Sequence, residues 1–160
     1  MSKENPYDKF LDGRAVESIL ASTSGALASA LAAISPEKHS VPISPGKWSP
    51  AEIVSHLADC EIAHGWRLRQ ILAEDSPLLQ PFDQEKWAAM YGGLTAASAL
   101  ETFTVLRAWN QQLISKALPG AANRAGVHPE RGRVTFQTVV ETMAGHDLNH
   151  LGQLTRAAGA

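Results

Sequence analysis

His146 and His150 stand four residues apart in the proline-free stretch from Met143 to Leu154. On a helix, that spacing puts two side chains about 40° apart and one turn along the axis. Phe136, Val139, Met143 and Leu154 fall on the same side, so both imidazoles are expected on a buried face. Two imidazoles in a core are either neutral and hydrogen-bonded or joint ligands of a cation, because like charges there are costly. One divalent metal satisfies both rings, and His-x-x-x-His on a helix presents two ring nitrogens to one ion. The pair alone does not decide between these readings, so a third ligand must come from elsewhere.

His56 is the natural third ligand. It lies beside Ile53, Leu57 and Cys60, on the core side of a helix expected from Pro50 to about Ala73. Asp59, one turn on, either touches the metal or its water, orients His56, or is a solvated helix residue; it is the candidate general base. Cys60 is either a fourth ligand or a small buried packing residue. His64 is rotated by about 80° from His56 and is expected to point elsewhere. The candidate substrate-binding residues are Arg67, Trp87 and His128. Arg67 shares the stripe of His56, about 16 Å further along. Trp87 sits in an aromatic-rich connection, and His128 in a polar loop where a solvated role is the plainer reading.

Three neutral imidazoles leave a divalent ion doubly charged and open to further ligands. Structural zinc is usually closed by four protein ligands, whereas three ligands plus water is the catalytic pattern. An open ion lowers the pKa of bound water or binds and activates a thiolate. Zinc, nickel, manganese and iron(II) all accept imidazoles; zinc or nickel is expected ahead of manganese or iron.

The elements that must position these groups are four apolar-periodic segments separated by breaker clusters. The first runs from about Gly13 to Ile34 and stops at Ser35-Pro36. The second begins at Ser49-Pro50-Ala51-Glu52, which reads as an N-cap, a proline at the first helical position and a capping-box glutamate. Trp48, just before it, can pack back onto the helix. Residues 74–95 form a long connection holding Phe82, Trp87, Met90 and Tyr91, which either covers a pocket or is a packed crossover without a ligand role. The third helix starts at Thr95 or Ala96 and ends by Pro119, with Arg107 and Trp109 expected at an edge. Residues 120–133 read as a loop. The fourth helix runs from about Val134 to Ala158, where Gly145 and Gly152 each cost about 1 kcal/mol in propensity and imply close helix contacts. No strand-like alternation competes, so the expected fold is one all-α domain over residues 1–160, a four-helix bundle.

The 160 residues are 44% hydrophobic and 19% charged, an ordinary globular composition. A net charge of −2 argues against a dedicated nucleic-acid binder. One cysteine excludes an internal disulfide and fits a reducing compartment. Met1 to Tyr7 holds no apolar signal core, and the apolar run from Gly25 to Ile34 is too short to span a bilayer. A cytoplasmic protein without membrane partners is expected.

One histidine midway along the second helix, and His-x-x-x-His on the fourth, resemble the DinB-like superfamily of metalloenzymes, also called DinB/YfiT-like. Lys47-Trp48-Ser49-Pro50-Ala51-Glu52-Ile53-Val54-Ser55-His56-Leu57-Ala58-Asp59 looks like the family's second-helix signature. Gly145-His146-Asp147-Leu148-Asn149-His150-Leu151-Gly152-Gln153-Leu154 looks like its fourth-helix signature. Pro81-Phe82-Asp83 and Gly126-Val127-His128-Pro129-Glu130 are similar to segments of one branch. The resemblance implies an up-down-down-up bundle with a long crossover between the second and third helices, and a divalent metal on His56, His146 and His150. Metal-dependent members transfer or use low-molecular-weight thiols. The function expected is therefore that of a metal-dependent enzyme acting on a small molecule, as a thiol S-transferase or a hydrolase; the alternative is a non-catalytic bundle whose metal holds a ligand or stabilises the fold. A homodimer is expected from the family, from alanine-rich helix faces and from surplus aromatics such as Trp66 and Trp109.

Overall fold

Helix-forming residues with apolar side chains at three- and four-residue spacing build four long helices in the computed structural model, which describes residues 5–159. Most of the Met1–Tyr7 segment read for a signal core lies outside the described residues. In chain order the elements are α1 (Asp8–Leu11), α2 (Val16–Ala32), a 3-10 turn (Pro36–Lys38), α3 (Pro50–Ala73), α4 (Gln84–Ala88), α5 (Ala96–Ala117), β1 (Ala125–His128), β2 (Gly132–Thr135) and α6 (Phe136–Ala157).

The helix starts are chemically specified. At α3 the Glu52 N–H donates to Ser49 Oγ at 3.3 Å, and the Ser49 N–H donates back to the Glu52 carboxylate at 2.7 Å. This reciprocal pair satisfies two of the donors that a helix N-terminus leaves open. Thr95 and Thr135 cap α5 and α6 by accepting from the Ser98 and Thr138 N–H groups.

The pairing of residues fixes the topology. Ser55 and Ala58 of α3 lie opposite Ser98 and Thr102 of α5, Glu61 meets Arg107, and Gly65 meets Asn110. Both numbers rise together, so α3 and α5 are parallel, as the long crossover requires. His56 meets His150 while His64 lies beside Thr142, so α3 and α6 are antiparallel. Arg107 reaches the Leu20 carbonyl, and Thr23 meets Asp147. The order is up-down-down-up.

Two apolar cores result, one at each end of the bundle. Ile19, Leu20, Leu68, Ile71, Ile114, Val140 and Met143 belong to the first, and Leu27, Leu31, Ile53, Leu57, Phe103 and Leu154 to the second. Each long helix contributes to both. Between them Thr23, Glu61, Arg107, Asn110, His146 and Asp147 form a buried polar layer.

The structure corrects the expectation of an uninterrupted loop over 120–133. Strands β1 and β2 pair antiparallel, Gly126 opposite Val134, and residues 77–79 add a third short segment through Leu79 N–H to Val127 O at 2.9 Å and Val127 N–H to Pro77 O at 2.8 Å. The glycine that reads as a loop marker is a close-approach site: a Cβ on Gly126 would stand 2.7 Å from both Leu79 Cγ and Pro77 O. Four-residue strands are too short for alternation to stand out from a loop. Arg107 is the other correction. It is not at an edge but 1% exposed, because the polar layer supplies its counter-charges.

Candidate metal centre

Helix α6 places His146 and His150 one turn apart on its inward face, and α3 brings His56 across to them. His146 Nε2 lies 3.0 Å from His56 Nε2 and 3.0 Å from His150 Nε2. The three ring nitrogens form one convergent set, all within 4.8 Å of one another and all buried.

A neutral imidazole carries one N–H and one lone pair. The Nδ1 of His150 lies 3.1 Å from the Gln153 side-chain oxygen, which accepts its proton and leaves the Nε2 lone pair aimed at the other two rings. His146 Nε2 faces two partners with a single lone pair or a single hydrogen, so hydrogen bonding alone cannot satisfy the group. A cation at the point of convergence satisfies all three nitrogens, and the donor set fits a divalent metal held by three protein ligands.

The protonation states agree. Burial pushes His56 down to about 3, with help from repulsion by His150. Burial lowers His150 to about 4 against the opposing pull of Gln153. His146 is held well below its ordinary range by burial and by the other two rings. All three are neutral at physiological pH, as ligation requires.

Aromatic rings wall the centre. Trp48 lies 4.7 Å from the His56 ring and stacks at 15° on His150, centroids 6.2 Å apart. Tyr7 meets His146 edge-on at 4.9 Å. Gly145 makes that contact possible, since a Cβ there would stand 2.6 Å from the Tyr7 carbonyl oxygen; Gly152 has no such close neighbour. Cys60 Sγ touches His56, 3.5 Å from Nε2, but is not part of the convergent set; burial pushes its thiol up.

A cavity of about 350 Å³ opens from His56 and His146 and is also lined by His64, Arg67, His128 and Arg131. Of the residues expected to meet substrate, Arg67 and His128 lie on its wall. His128 is not a solvated loop residue: it sits on β1, 4% exposed, and its Nδ1 accepts the Glu130 N–H at 3.2 Å. Trp87 lies in a neighbouring groove with Ile62 and Trp66, where its ring packs 4.7 Å from Phe82. His64 does not point elsewhere: its ring is 6.5 Å from His146 and lines the cavity, because the cavity faces two adjacent stripes of α3. It stands outside the convergent set.

Asp59 is turned away from the cavity. Tyr91 Oη donates to its Oδ2 at 2.7 Å in a groove shared with Ser98 and Thr102. Three residues beyond His56 is about −60° around the helix, which aims Asp59 toward α5. The carboxylate packed beside the centre is Asp147, which the sequence reading left without a role. Its Oδ2 lies 2.8 Å from Arg107 Nη1 and 3.1 Å from Thr23 Oγ1. Arg107 Nη2 meets Glu61 Oε1 at 2.7 Å, and the Asn110 amide donates to Glu61 Oε2 at 3.0 Å. Gln153, Trp48 and Tyr7 also escaped assignment; only Gln153, one turn after His150, stood at a spacing that announces contact with a ligand ring.

A family model described as the DinB superfamily matches residues 19–154. A protein of Oceanobacillus iheyensis, provisionally named a metal-dependent hydrolase, is 27% identical over 111 residues, 69% of this chain and 64% of that protein. YfiT of Bacillus subtilis, under the same provisional description, is 23% identical over 117 residues, 71% of this chain and 66% of its own. The chain thus spans just under two thirds of the Oceanobacillus relative. The solved structure of YfiT, described as having an unusual four-helix bundle topology, superposes with a TM-score of 0.84 at 19% identity, covering 90% of this chain and 84% of that one. A second four-helix bundle protein superposes with a TM-score of 0.64 at 22% identity, over 94% and 98% of the two chains. At these identities the superpositions speak to the fold alone.

Proposed function

The chain belongs to the DinB superfamily, and from that premise we propose that it is a divalent-metal-dependent enzyme acting on a small molecule, by hydrolysis or by transfer of a low-molecular-weight thiol. The observation that carries this reading is the convergence of three neutral imidazole nitrogens, with the His56 and His146 rings on the wall of a cavity. His56, His146 and His150 would hold the ion, zinc or nickel ahead of manganese or iron(II), all of which accept imidazole. A bound ion would supply Lewis acidity, lowering the pKa of a water or thiol in contact with it.

The chain's own residues do the rest. Gln153 fixes the tautomer of His150. Trp48 and Tyr7 keep bulk water from the ligand rings. The base assigned by spacing to Asp59 passes to Glu130, the one carboxylate on the cavity wall among the described residues. His128 accepts at Nδ1 from the backbone, so its neutral ring presents Nε2–H as a donor to substrate.

The test is a screen of esters, amides and electrophile–thiol pairs with metal-loaded and chelated protein. Turnover that disappears on chelation and returns with metal supports the reading. Stoichiometric metal with no turnover in either class would favour the non-catalytic binding bundle. We also propose a cytoplasmic homodimer. Trp66 and Trp109 are 61% and 62% exposed, and tryptophan is enriched where protein surfaces meet. Light scattering at the monomer mass of 17.1 kDa in concentrated solution would contradict the dimer. Among the described residues no helix is long and apolar enough to cross a membrane.

A further inference from the structure

Away from the three imidazoles, the same cavity is walled by two guanidinium groups. Arg67 is 5% exposed, and its one hydrogen bond within the described chain runs from Nη2 to the Gln80 carbonyl at 2.8 Å. The Phe82 ring lies 5.8 Å from its Cζ and helps fix its orientation. Arg131, half-buried in the turn between β1 and β2, faces the same space. Among the described residues neither guanidinium has a carboxylate within ion-pair distance; the ion pairs there are Lys86–Asp83, Arg107–Glu61 and Arg107–Asp147.

Arg107 supplies the comparison within the molecule. It is buried to a similar degree as Arg67 and has two carboxylates. A buried cation without a partner is costly, and two on one wall repel each other as well; proximity to Arg131 adds to burial in lowering the Arg67 guanidinium. The remaining polar groups there are mostly donors. His128 presents Nε2–H, and Tyr7 keeps its phenolic proton because burial raises it. Among the described residues Glu130 is the single opposing carboxylate on the wall, exposed and not ion-paired with either arginine.

We propose that this end of the cavity binds an oxyanionic group of the substrate, a carboxylate or a phosphate, through Arg67 and Arg131, while the reacting part of the same molecule faces His56, His146 and His150. The orientation rests on the metal-dependent reading above; the anion subsite rests on the chain's own residues. A volume of about 350 Å³ suits a small metabolite-sized molecule with both ends engaged.

The test uses chelated, metal-free protein, so it stands apart from metal binding and turnover. Inorganic phosphate and acetate are titrated separately by calorimetry at fixed ionic strength. At least one binds with a stoichiometry of about one per chain, Arg67→Gln and Arg131→Gln each weaken it about tenfold or more, and Arg131→Lys retains most of it. Tighter phosphate identifies a phosphorylated substrate, and tighter acetate a carboxylate. A parallel measurement on unaltered protein maps phenylglyoxal modification by mass spectrometry: the bound anion protects Arg67 and Arg131 but not the exposed Arg14. This arm decides the matter should Arg67→Gln fail to fold. Absence of binding at about 20 mM of either anion, or equal affinity in wild type and Arg131→Gln, overturns the proposal. Loss of metal binding in a separate assay would leave it standing.

Discussion

His146 and Asp147 are neighbours in sequence, yet each belongs to a different buried polar cluster. Asp147, Glu61 and Arg107, joined by Thr23 and Asn110, bring opposite charges together and satisfy most of their hydrogen bonds within the chain. His56, His146 and His150 bring together three neutral groups whose ring nitrogens converge, His146 Nε2 lying 3.0 Å from each of the other two. The first cluster pairs its charges within the chain, leaving only Arg107 Nε without a partner, whereas the nitrogens of the second fit a cation that no side chain among the described residues supplies. Asp147 and His146 both lie in the layer between the two apolar cores. The difference shows that burial of polar groups is not itself a sign of function; an unfilled requirement for a partner is. The same reasoning separates Arg107 from Arg67 and Arg131.

The largest break in this comparison comes from the self-contained cluster. Arg107→Met leaves Glu61 and Asp147 buried without a counter-ion and is expected to cost about 3–5 kcal/mol, measured by urea unfolding. Retention of wild-type stability would mean that the carboxylates find water or protonate freely. Burial raises Asp147 to about 6 against the pull of Arg107.

The imidazole cluster answers to pH. His56 and His150 titrate in the folded chain at about 3 and about 4, below the unfolded value of about 6.5. Between those values the unfolded chain binds more protons. Metal-free protein therefore keeps this stability above pH 6.5 and loses it as pH falls toward 4, by up to about 1.4 kcal/mol per pH unit for each group. Asp147 works in the opposite sense between about 3.8 and 6, and the several histidines outweigh it. Stability of the metal-free protein that rises on acidification from 6.5 to 4.5 would contradict the placement of these rings. In loaded protein, acid also releases metal as protons compete for the lone pairs.

Gln153→Ala sharpens the contrast further. It frees His150 to adopt the other tautomer and is expected to weaken metal binding about 10–100-fold, with the metal-free fold intact. Unchanged affinity in a competitive chelator titration would remove Gln153 from the site. The smallest effect belongs to Tyr91→Phe. It deletes the bond to Asp59, costs about 0.5–1.5 kcal/mol, and leaves metal affinity unchanged because Asp59 faces away from the cavity.

The bundle was legible because its four helices carry long apolar stripes and, at α3, a complete capping box. The convergence of the three imidazoles was legible because helical spacing alone puts His146 with His150 and sets His56 on a core stripe. Asp59 misled for the same reason that His64 did: helical angle says which side a residue takes, but not how wide the cavity is or which neighbour a carboxylate finds. Tyr91, the partner of Asp59, comes from the crossover, whose path no periodicity describes. Arg107 looked like an edge residue because its two counter-charges stand on other helices, 46 residues away at Glu61 and 40 at Asp147. Tyr7 reaches His146 only through the close approach that Gly145 allows.

The central claim is that the three imidazoles hold one divalent ion. Elemental analysis of dialysed protein tests it most directly, with wild type, His150→Ala and His39→Ala prepared side by side. His39 packs against the carbonyls of Leu31 and Ile34, away from the centre. The account predicts about one ion per chain in wild type and His39→Ala, and loss of most of it in His150→Ala. Equal metal in His150→Ala and wild type would contradict it.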